Sequence, residues 1–537
     1  MTKASTPSAF APLRQRAFAL LWSAALVANI GTWFRDVANG WAMTELAPSP
    51  IMVALVQAAA TLPVFLLSLP AGALADILDR RRMLLAIQVL LICGSLALAV
   101  SSTFGWLNPG LLLALTAIGG IGAAMMGPPW QAIVPELVPK DLLRPAVALN
   151  SMGINLARAI GPAAGGVIIA TFGVAMAYWL DALSYIFVIG ALLLWRRPVV
   201  AQSLPPERFA AAIGVGLGYV IRSPEVQRAL FRSACFFIFA SAYWALLPLV
   251  ARQQLAGGAA LYGVLLTSVG AGAVTGALLL PRLNIGPDRL VLLGGWVTAI
   301  AMGAVAVASR VEVAAVALFV AGAAWIAVLT TLNVTAQSVL PNWVRARGLA
   351  VYITVFFGSM AAGSALWGLA AAQLGIPVAL SLAAGGCALI ASLAALVRLP
   401  VSGGDLTPSM HWPEPAVAHP YDGDRGPVMV QIVYRIAQRD RRGFLGALSD
   451  LSRRRRRDGA YGWSVFEDAA DPELFTEMFL VPSWNEHLRQ HHRVTRDDET
   501  AQARVNSFHR GESGPSVSHH LAATPDDPPS GSLSEHH

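Results

Sequence analysis

The sequence predicts an all-helical membrane protein of twelve transmembrane helices, followed by a soluble α+β domain. Hydrophobic residues make up 55% of the 537 residues and charged residues only 13%, and the mean hydropathy is +0.58. This composition is unusual for a soluble globular protein. Apolar runs of about 20 residues, the length that crosses a bilayer, recur between Phe18 and Val397. After Pro400 the composition changes abruptly, and all ten histidines follow residue 410.

The apolar runs fall into two groups of six. We expect spans near residues 18–43, 51–74, 83–101, 110–133, 149–170 and 174–195, and again near 228–250, 259–281, 289–309, 311–336, 350–373 and 376–397. Short similar segments pair the groups: "QAIVP" at Gln131 matches "QSVLP" at Gln337 with an offset of 206 residues, and "GALAD" at Gly72 matches "GALLL" at Gly276 with an offset of 204. Repetition at nearly one offset predicts two parallel six-helix repeats.

These patterns divide the chain into seven regions. They are a cytoplasmic N-terminus (1–17), an N-terminal six-helix bundle (18–197), a cytoplasmic connector (198–227), a C-terminal six-helix bundle (228–398), a linker (399–426), a soluble α+β domain (427–522) and a disordered tail (523–537). Within the connector, the apolar stretch between Arg208 and Arg222 is shorter than the ~20 residues of a crossing. We expect it to form a helix at the membrane surface.

The arginines predict the orientation of the chain. Residues 1–400 contain 23 Lys and Arg against 11 Asp and Glu. Almost all of these basic residues fall in one alternating set of loops and span ends, whereas the other set has only Arg252 and Arg310. Basic residues favour the cytoplasmic side, so we expect an integral protein of the cytoplasmic (inner) membrane with both termini inside. The net charge of +7 is then a signal of topology and not of nucleic-acid binding.

Charged residues interrupt the apolar sequence between the second and third spans, in "GALADILDRRR". This loop resembles the signature loop of the major facilitator superfamily, roughly G-x-L-A-D-R-x-G-R-R. The matching residues are Gly72, Leu74, Asp76, Arg80 and Arg81, whereas Ile77 and Asp79 differ from the pattern. The resemblance implies that Asp76 contacts the start of the eleventh helix and holds an arrangement closed to the cytoplasm. A simpler interpretation, compatible with the first, is that the arginines enforce topology and bind lipid phosphate.

The fifth span contains a stripe of small residues, in "GINLARAIGPAAGG". Gly153, Ala157, Gly161 and Gly165 recur every four residues and Gly166 follows, which lets a neighbouring helix pack against backbone. Pro162 removes one helical hydrogen bond and permits a bend. Such stripes are common in membrane helices, where they mean packing. This one also resembles the antiporter motif of the superfamily, which implies export.

Two longer segments resemble a narrower branch of the superfamily. Ala148–Gly166 and Asn29–Trp41 are similar to the branch that contains the enterobactin exporter and related secretion and macrolide-efflux proteins. The resemblance implies efflux of a small organic molecule, usually coupled to protons. An importer or a lipid transporter of the same fold is the alternative.

Four charged residues lie inside predicted spans, where an ionised group costs at least ~2.5 kcal/mol. They are Arg35 and Asp36 in span 1, Arg158 in span 5 and Asp181 in span 6. Adjacent residues on a helix do not face each other, so we expect Arg35 and Asp36 to have different partners. Asp36 is our candidate for proton coupling. The alternative is that both aspartates pair permanently with Arg158 or Arg35 as structural glue.

Uncharged polar and aromatic residues in the spans could line a cavity for a bulky amphiphile, although most such aromatics serve packing or interface anchoring. The candidates are Asn29, Trp33, Gln57, Asn155, Tyr243, Trp244, Thr330 and Asn333. No histidine lies in the membrane part, and the three cysteines lie inside spans. We therefore expect no cofactor and no metal site.

The soluble domain shows an order of strands and helices that defines its predicted class. Strands are expected at "VMVQIVYRI", "YGWSVFED", "ELFTEMFLV" and "SVSHHL", and helices at Arg439–Arg457 and "SWNEHLRQHHRVT". The β-α-β-β-α-β order predicts a ferredoxin-like domain. It resembles the α+β barrels of antibiotic-biosynthesis monooxygenases, which implies dimerisation through the sheet.

An enzyme fused to a carrier is therefore the competing hypothesis. His487 and His491 have the i, i+4 spacing that can bind metal, but Leu488 replaces the glutamate of the zinc-protease motif. We expect a solvated helix face at these histidines. The run Arg453–Arg457 suits a helix C-terminus and could also contact anionic lipid. With no complete catalytic set, regulation or dimerisation is preferred over catalysis.

Overall fold

The protein is described from a computed structural model, which describes residues 8, 10–195, 209–282, 284–400, 404–409, 411–412 and 425–523. Six long helices form the first half: α1 (Arg16–Leu46), α2 (Pro50–Ile77), α3 (Arg80–Thr103), α4 (Pro109–Leu137), α5 (Leu143–Phe172) and α6 (Val174–Leu194). A shorter helix, α7 (Phe209–Arg222), follows. The second half contains α8 (Pro224–Leu249, extended by a π-helical turn, Val250–Gln254), α9 (Ala259–Leu279), α10 (Pro287–Ala306), α11 (Val311–Ser338), α12 (Arg345–Leu374) and α13 (Ile376–Ala394).

Twelve helices of the described residues are long and apolar enough to cross a membrane. Each overlaps one predicted span, so the number and order of the predicted spans are confirmed. Single glycines make two one-residue connections: Gly173 (φ +83°) joins α5 to α6, and Gly375 (φ +84°) joins α12 to α13. Residues that carry a side chain rarely adopt a positive φ of this size, whereas glycine adopts it readily.

Asp79, which departs from the signature pattern, has a local role at the start of α3. Its side chain accepts a hydrogen bond from the Arg82 amide at 2.9 Å. Asp is among the preferred N-cap residues because it satisfies an amide that lacks a helical partner. The substitution therefore replaces a flexible glycine with a helix cap.

The two halves meet through close contacts of small residues. Helix α5 packs on α9, and a Cβ added at Gly166 would lie 2.8 Å from the Gly263 Cα. Helix α2 approaches α12, where the hydroxyls of Ser68 and Thr354 are 2.6 Å apart. Near the α1–α2 turn, Arg252 donates to the Thr44 hydroxyl at 2.9 Å.

A second compact unit contains the soluble domain. Besides the chain from Pro400 onward, it includes Ala210–Gln227 and Ala336–Gly348. Its sheet has the strands β1 (Val428–Arg435), β2 (Tyr461–Glu467), β3 (Leu474–Val481) and β4 (Ser516–Leu521). The strand order is β2-β3-β1-β4, and all neighbours are antiparallel.

Three helices accompany the sheet: α14 (Arg441–Arg457), α15 (Trp484–Arg493) and α16 (Arg496–Asn506). The sequence predicted a helix at "SWNEHLRQHHRVT", which covers α15, but it did not predict α16. The chain breaks between them because Thr495 and Asp498 form a reciprocal capping box that starts a new helix. The core of the domain includes Ile432, Phe444, Leu448 and Phe479, contributed by one face of the sheet and by α14.

Candidate functional site

A buried polar network joins three helices of the first half. Arg35 on α1 donates from Nη1 to the Tyr185 hydroxyl on α6 at 2.9 Å, and the same nitrogen lies 3.6 Å from the Asp181 carboxylate. Ser95 on α3 donates to Asp181 at 2.6 Å. The Asp181 side chain is fully buried. Because an unpaired charge costs much free energy at such a position, these contacts hold α1, α3 and α6 in one arrangement.

Asp36 lies next to this network but in a different environment. Its side chain is 48% exposed, and its carboxylate lies 3.4 Å from the other terminal nitrogen of Arg35. The expectation that Arg35 and Asp36 have different partners is thus wrong in part. The guanidinium is long and forked, so that one nitrogen turns back to Asp36 while the other reaches Asp181.

The exposed side of Asp36 faces the second half of the protein. At 3.6 residues per turn, Asp36 points away from Val27 and Leu20, two exposed apolar residues of α1. Gly40 lies one turn further along the same face, and a Cβ there would be 2.8 Å from the Tyr262 hydroxyl on α9. The carboxylate therefore lies on the side of α1 that approaches α9.

Helix α5 shows two exposed stripes on opposite sides. One is apolar and contains Leu156, Ile160 and Val167. The other contains the exposed Ser151 and Asn155 and the part-exposed Arg158, together with the exposed Val147 and Ile154. The exposed polar side chains of the helix middle therefore lie on one side of α5, which we call the polar stripe.

The small residues of α5 face α1 and α9. A Cβ would lie 3.3 Å from Trp22 at Gly153, 2.5 Å from Trp33 at Gly161 and 3.3 Å from Phe34 at Gly165. Ala157 and Pro162 are buried between these glycines. The stripe thus packs along α1, whereas Gly166 packs on α9.

Arginines of the signature loop fasten α3 to its neighbours. Arg80 pairs with Glu136 at 2.8 Å. Arg81 donates to the carbonyls of Leu192 and Leu193 at 2.7 and 2.9 Å, at the C-terminal end of α6 where carbonyls lack helical partners. The other residues of the loop motif differ in their surroundings. Leu74 packs against the core of the first half, whereas Gly72 has open space beside it. The side chain of Asp76 lies outside the described residues.

The predicted cavity residues fall into different environments. Asn29, Trp33, Gln57, Trp244, Thr330 and Asn333 are partly exposed, and Asn155 is exposed. Tyr243 is almost fully buried, and its ring lies 6.0 Å from that of Trp325. Trp325 also contacts Phe237 and Phe356. Sequence reasoning missed this aromatic cluster, as it missed Ser95, Tyr185 and Tyr262, because such residues are common in spans for packing alone.

The soluble domain has buried charges of its own. Arg455 pairs with Glu477 at 2.9 Å, with both side chains at most 5% exposed. Glu477 also accepts from Tyr434 at 2.9 Å and from Trp463 at 2.8 Å. The arginine run therefore supplies internal ion pairs, which was not expected from its sequence.

We expected a solvated helix face at the histidines of α15. This expectation is wrong for His487, which is only 2% exposed. Its Nε2 lies 3.3 Å from that of His491. Burial, with His519 and His491 nearby, lowers the pKa of His487 to about 3. Among the described residues, no group of three or more His, Cys, Asp or Glu is arranged to hold a metal ion.

Twelve apolar helices with a charged network between them define a polytopic membrane transporter. The sequence model of the family described as transmembrane secretion effector matches residues 7–526, soluble domain included. The chain belongs to this family of the major facilitator superfamily, and the resemblance predicted from its motifs is confirmed.

Individual relatives match parts of the chain. The staphyloferrin A transporter of Staphylococcus aureus is 24% identical over 49% of this chain and 66% of its own length. The enterobactin exporter of Salmonella choleraesuis is 30% identical over 38% and 49%, respectively. A multidrug efflux pump of Mycolicibacterium fortuitum is 27% identical over 39% and 53%. The chain thus spans about half to two thirds of the length of these relatives.

Solved structures show the same fold. A POT family transporter in complex with a thioalcohol-conjugated peptide has a TM-score of 0.60 at 12% identity, covering 71% of this chain and 96% of its own. A bacterial homolog of the human lysosomal transporter Spinster, in an inward-facing conformation, has a TM-score of 0.56 at 13% identity, covering 72% and 97%.

Proposed function

We propose that the protein is a proton-coupled exporter of a small organic molecule, such as a siderophore, a macrolide or another drug-like compound. The observation that carries this proposal is the position of Asp36 and Arg158, which lie on faces of α1 and α5 turned toward the other half. Substrate sites of such transporters lie where the two repeats meet. The relatives named as siderophore and multidrug exporters support the direction of transport.

Asp36 is the proposed proton carrier. Arg35 lies between two carboxylates, and one guanidinium balances only one negative charge. Asp181 is buried and receives a hydrogen bond from Ser95, which makes it the permanent partner. The Asp36 side chain is 48% exposed, which leaves one side of the carboxylate open to a proton during the cycle.

The proposed orientation places both termini in the cytoplasm and the spans in the inner membrane. The excess of basic residues on that side supports it. The proposed division into two parallel repeats is supported by Gly173 and Gly375, which make equivalent turns after the fifth and eleventh spans. Asp76 retains its proposed role in closing the cytoplasmic side.

For the soluble domain we propose a ferredoxin-like fold that dimerises and regulates. The order β2-β3-β1-β4 with antiparallel neighbours supports this fold. Alternation of buried and part-exposed residues along β1 and β3 leaves Met429, Met478 and Leu480 on the sheet face opposite the core. A second copy would cover this apolar face.

Transport into inverted vesicles tests the proposal. With an imposed proton gradient, we expect uptake of members of a panel of siderophores, macrolides and dyes, and loss of uptake when the gradient is collapsed. Replacement of Asp36 by Asn should abolish gradient-driven accumulation while facilitated exchange persists. Accumulation by this variant at the wild-type level would place coupling elsewhere.

The same vesicles distinguish the alternatives. Uptake only into right-side-out vesicles would indicate an importer. Turnover of a compound by the soluble domain, abolished by a point mutation there, would revive the fused-enzyme hypothesis.

A further inference from the structure

Arg158 differs from the other charges within the spans. Arg35 contacts two carboxylates and a tyrosine hydroxyl, whereas Arg158 makes no ion pair or side-chain hydrogen bond within the described part of the chain. It nevertheless lies at the middle of α5, fifteen residues from the first residue of the helix. An uncompensated cation at this depth is costly.

The backbone of α5 around Arg158 packs closely on α9 of the second half. Pro162, one turn away on the same face, has its carbonyl 2.9 Å from where a Cβ on Gly263 of α9 would lie, and the Arg158 carbonyl lies 3.0 Å from the corresponding point on Gly270. The face therefore turns to the second half. Toward the start of α5, the exposed Ser151 and Asn155 continue the polar stripe, so that the part-exposed Arg158 has polar neighbours on its own side of the helix.

We propose that Arg158 is the recognition site for an anionic group of the cargo, either a carboxylate or a catecholate. The inference rests on the proposed export function and adds the charge class of the substrate. A guanidinium binds such groups through two parallel hydrogen bonds. The cargo thus supplies the anionic partner that Arg158 lacks among the described residues. Asn155 and Ser151 can hydrogen-bond the neighbouring oxygens.

Binding to the purified full-length protein tests the assignment. We would titrate it with enterobactin, with a citrate-based carboxylate siderophore and with ethidium as a permanent cation. Wild type should bind an anionic compound, and Arg158→Gln should weaken that binding by roughly 10- to 100-fold. Arg158→Lys should retain part of the affinity, and Arg158→Glu should shift preference toward ethidium. Arg310→Gln, which removes an exposed arginine between α10 and α11, is the matched control.

The outcomes separate the two proposals. If wild type binds and transports only cations or neutral compounds, or if Arg158→Gln binds anions as wild type does, the charge assignment is overturned and export stands. If wild type neither binds nor transports any compound, the export proposal fails and this inference fails with it.

Independent contacts within the second compact unit support another inference. Arg457 of α14 lies over the ring of Tyr219 in α7, 5.1 Å from its centroid, and Arg493 of α15 lies 4.5 Å from the ring centroid of Trp343, between α11 and α12. The two rings pack edge to face at 5.6 Å. Tyr219 is 2% exposed.

Both arginines are held in place by carboxylates of the soluble domain. Arg457 pairs with Asp458 at 3.0 Å and with Asp498 at 3.1 Å, and Arg493 pairs with Glu486. Pre-ordered cations over aromatic faces interact more strongly when desolvated. The domain therefore presents two rigid contacts to two segments that are distant in the chain.

We infer that the soluble domain restrains transport by fastening α7 to the segment Ala336–Gly348. α7 lies in the link between the halves, and the segment joins α11 to α12 of the second half. Alternating access requires the halves to move against each other, so a domain fixed to both segments slows that movement.

Variants on the membrane side of the contact test the restraint without disturbing the domain's ion pairs. In Tyr219→Leu/Trp343→Leu, we expect faster amide hydrogen exchange in both segments and a several-fold higher transport rate. Arg457→Gln/Arg493→Gln should act alike, whereas Arg453→Gln, which loses only the exposed pair with Asp450, should match wild type. Faster exchange with an unchanged or lower transport rate would overturn the inference, as would unchanged exchange.

Discussion

At the scale of single residues, two aspartates around one arginine differ in what they can do. Asp181 is enclosed and receives a hydrogen bond from the Ser95 hydroxyl, whereas Asp36 shares the guanidinium from a half-exposed position. The first contact holds helices together, and the second can be broken by a proton without unfolding. One arginine thus combines a structural and a functional partner.

The two aspartates should respond differently to neutralisation. Asp181→Asn removes the buried partner of Arg35 and should destabilise the protein by about 3–5 kcal/mol, which would appear as lower yield and a lower melting temperature in detergent. Asp36→Asn should keep the wild-type melting temperature and lose coupling. Equal melting temperatures for both variants would contradict this division.

His487 should make the soluble domain sensitive to acid. The unfolded residue binds a proton below its ordinary pKa of 6.5, whereas the folded one does so only near 3. Stability is therefore full above pH 6.5 and falls by about 1.4 kcal/mol per pH unit below it, or about 2 kcal/mol at pH 5. Urea unfolding at pH 7 and pH 5 measures this loss, and His487→Gln should lose about that much less than wild type. Identical pH dependence of the two proteins would show that His487 does not titrate this way.

The sequence was enough to find the charged residues within the spans, because charges are rare in apolar surroundings. They are Arg35, Asp36, Arg158 and Asp181. The sequence did not show which residues these charges contact. Ser95 and Tyr185 complete the network, yet hydroxyls occur in many spans with no such role, and only the packing of α3 and α6 around α1 brings them together. Whether Arg35 finds a partner and Arg158 finds none among the described residues likewise depends on which helix faces which.

At the scale of elements, α5 is the helix that contacts most of the proposed machinery. One side packs on α1 through glycines, another on α9, and a third carries the polar stripe. Its stripe of small residues was readable because a four-residue period is local. Helix α16 was missed because the capping box of Thr495 and Asp498 that starts it lies within a continuous polar stretch.

Because α5 and α9 lie close together, we expect that larger side chains at their contact are poorly tolerated. Gly166→Leu would drive side-chain atoms into the Gly263 backbone, and overpacking costs about 1–3 kcal/mol. We expect reduced transport with a lower melting temperature. Gly190→Leu, at a glycine of α6 with open space around it, is the control; a matching loss in both variants would mean that the α5–α9 contact is not special.

At the scale of the whole molecule, the chain combines a membrane carrier with a domain that has its own core. The number of spans and the positions of the four strands along the chain followed from hydrophobic periodicity, which is local. The sequence did not predict that the soluble domain forms one unit with Ala210–Gln227 and Ala336–Gly348. Contacts between segments over a hundred residues apart leave no periodic signal in the sequence.

The uncovered sheet face predicts the oligomeric state. Met478→Lys/Leu480→Lys should convert a dimer of the full-length protein to monomer without unfolding, since charges placed opposite each other repel. Ser449→Lys, on the exposed side of α14, should leave the dimer intact. Sedimentation in detergent measures the mass, and a wild-type monomer at high concentration would contradict dimerisation.

The composition of the second compact unit also sets an order of events during synthesis. Tyr219 and Trp343 leave the ribosome before α14 and α15, and at about 5–20 residues per second the ring of Tyr219 waits roughly 10–50 s for Arg457. Until then both segments lack the contacts that cover them in the finished protein. Closure of the unit therefore reports that all twelve spans have been made, and a prematurely terminated chain would keep these aromatic residues accessible to the proteases that remove incomplete membrane proteins.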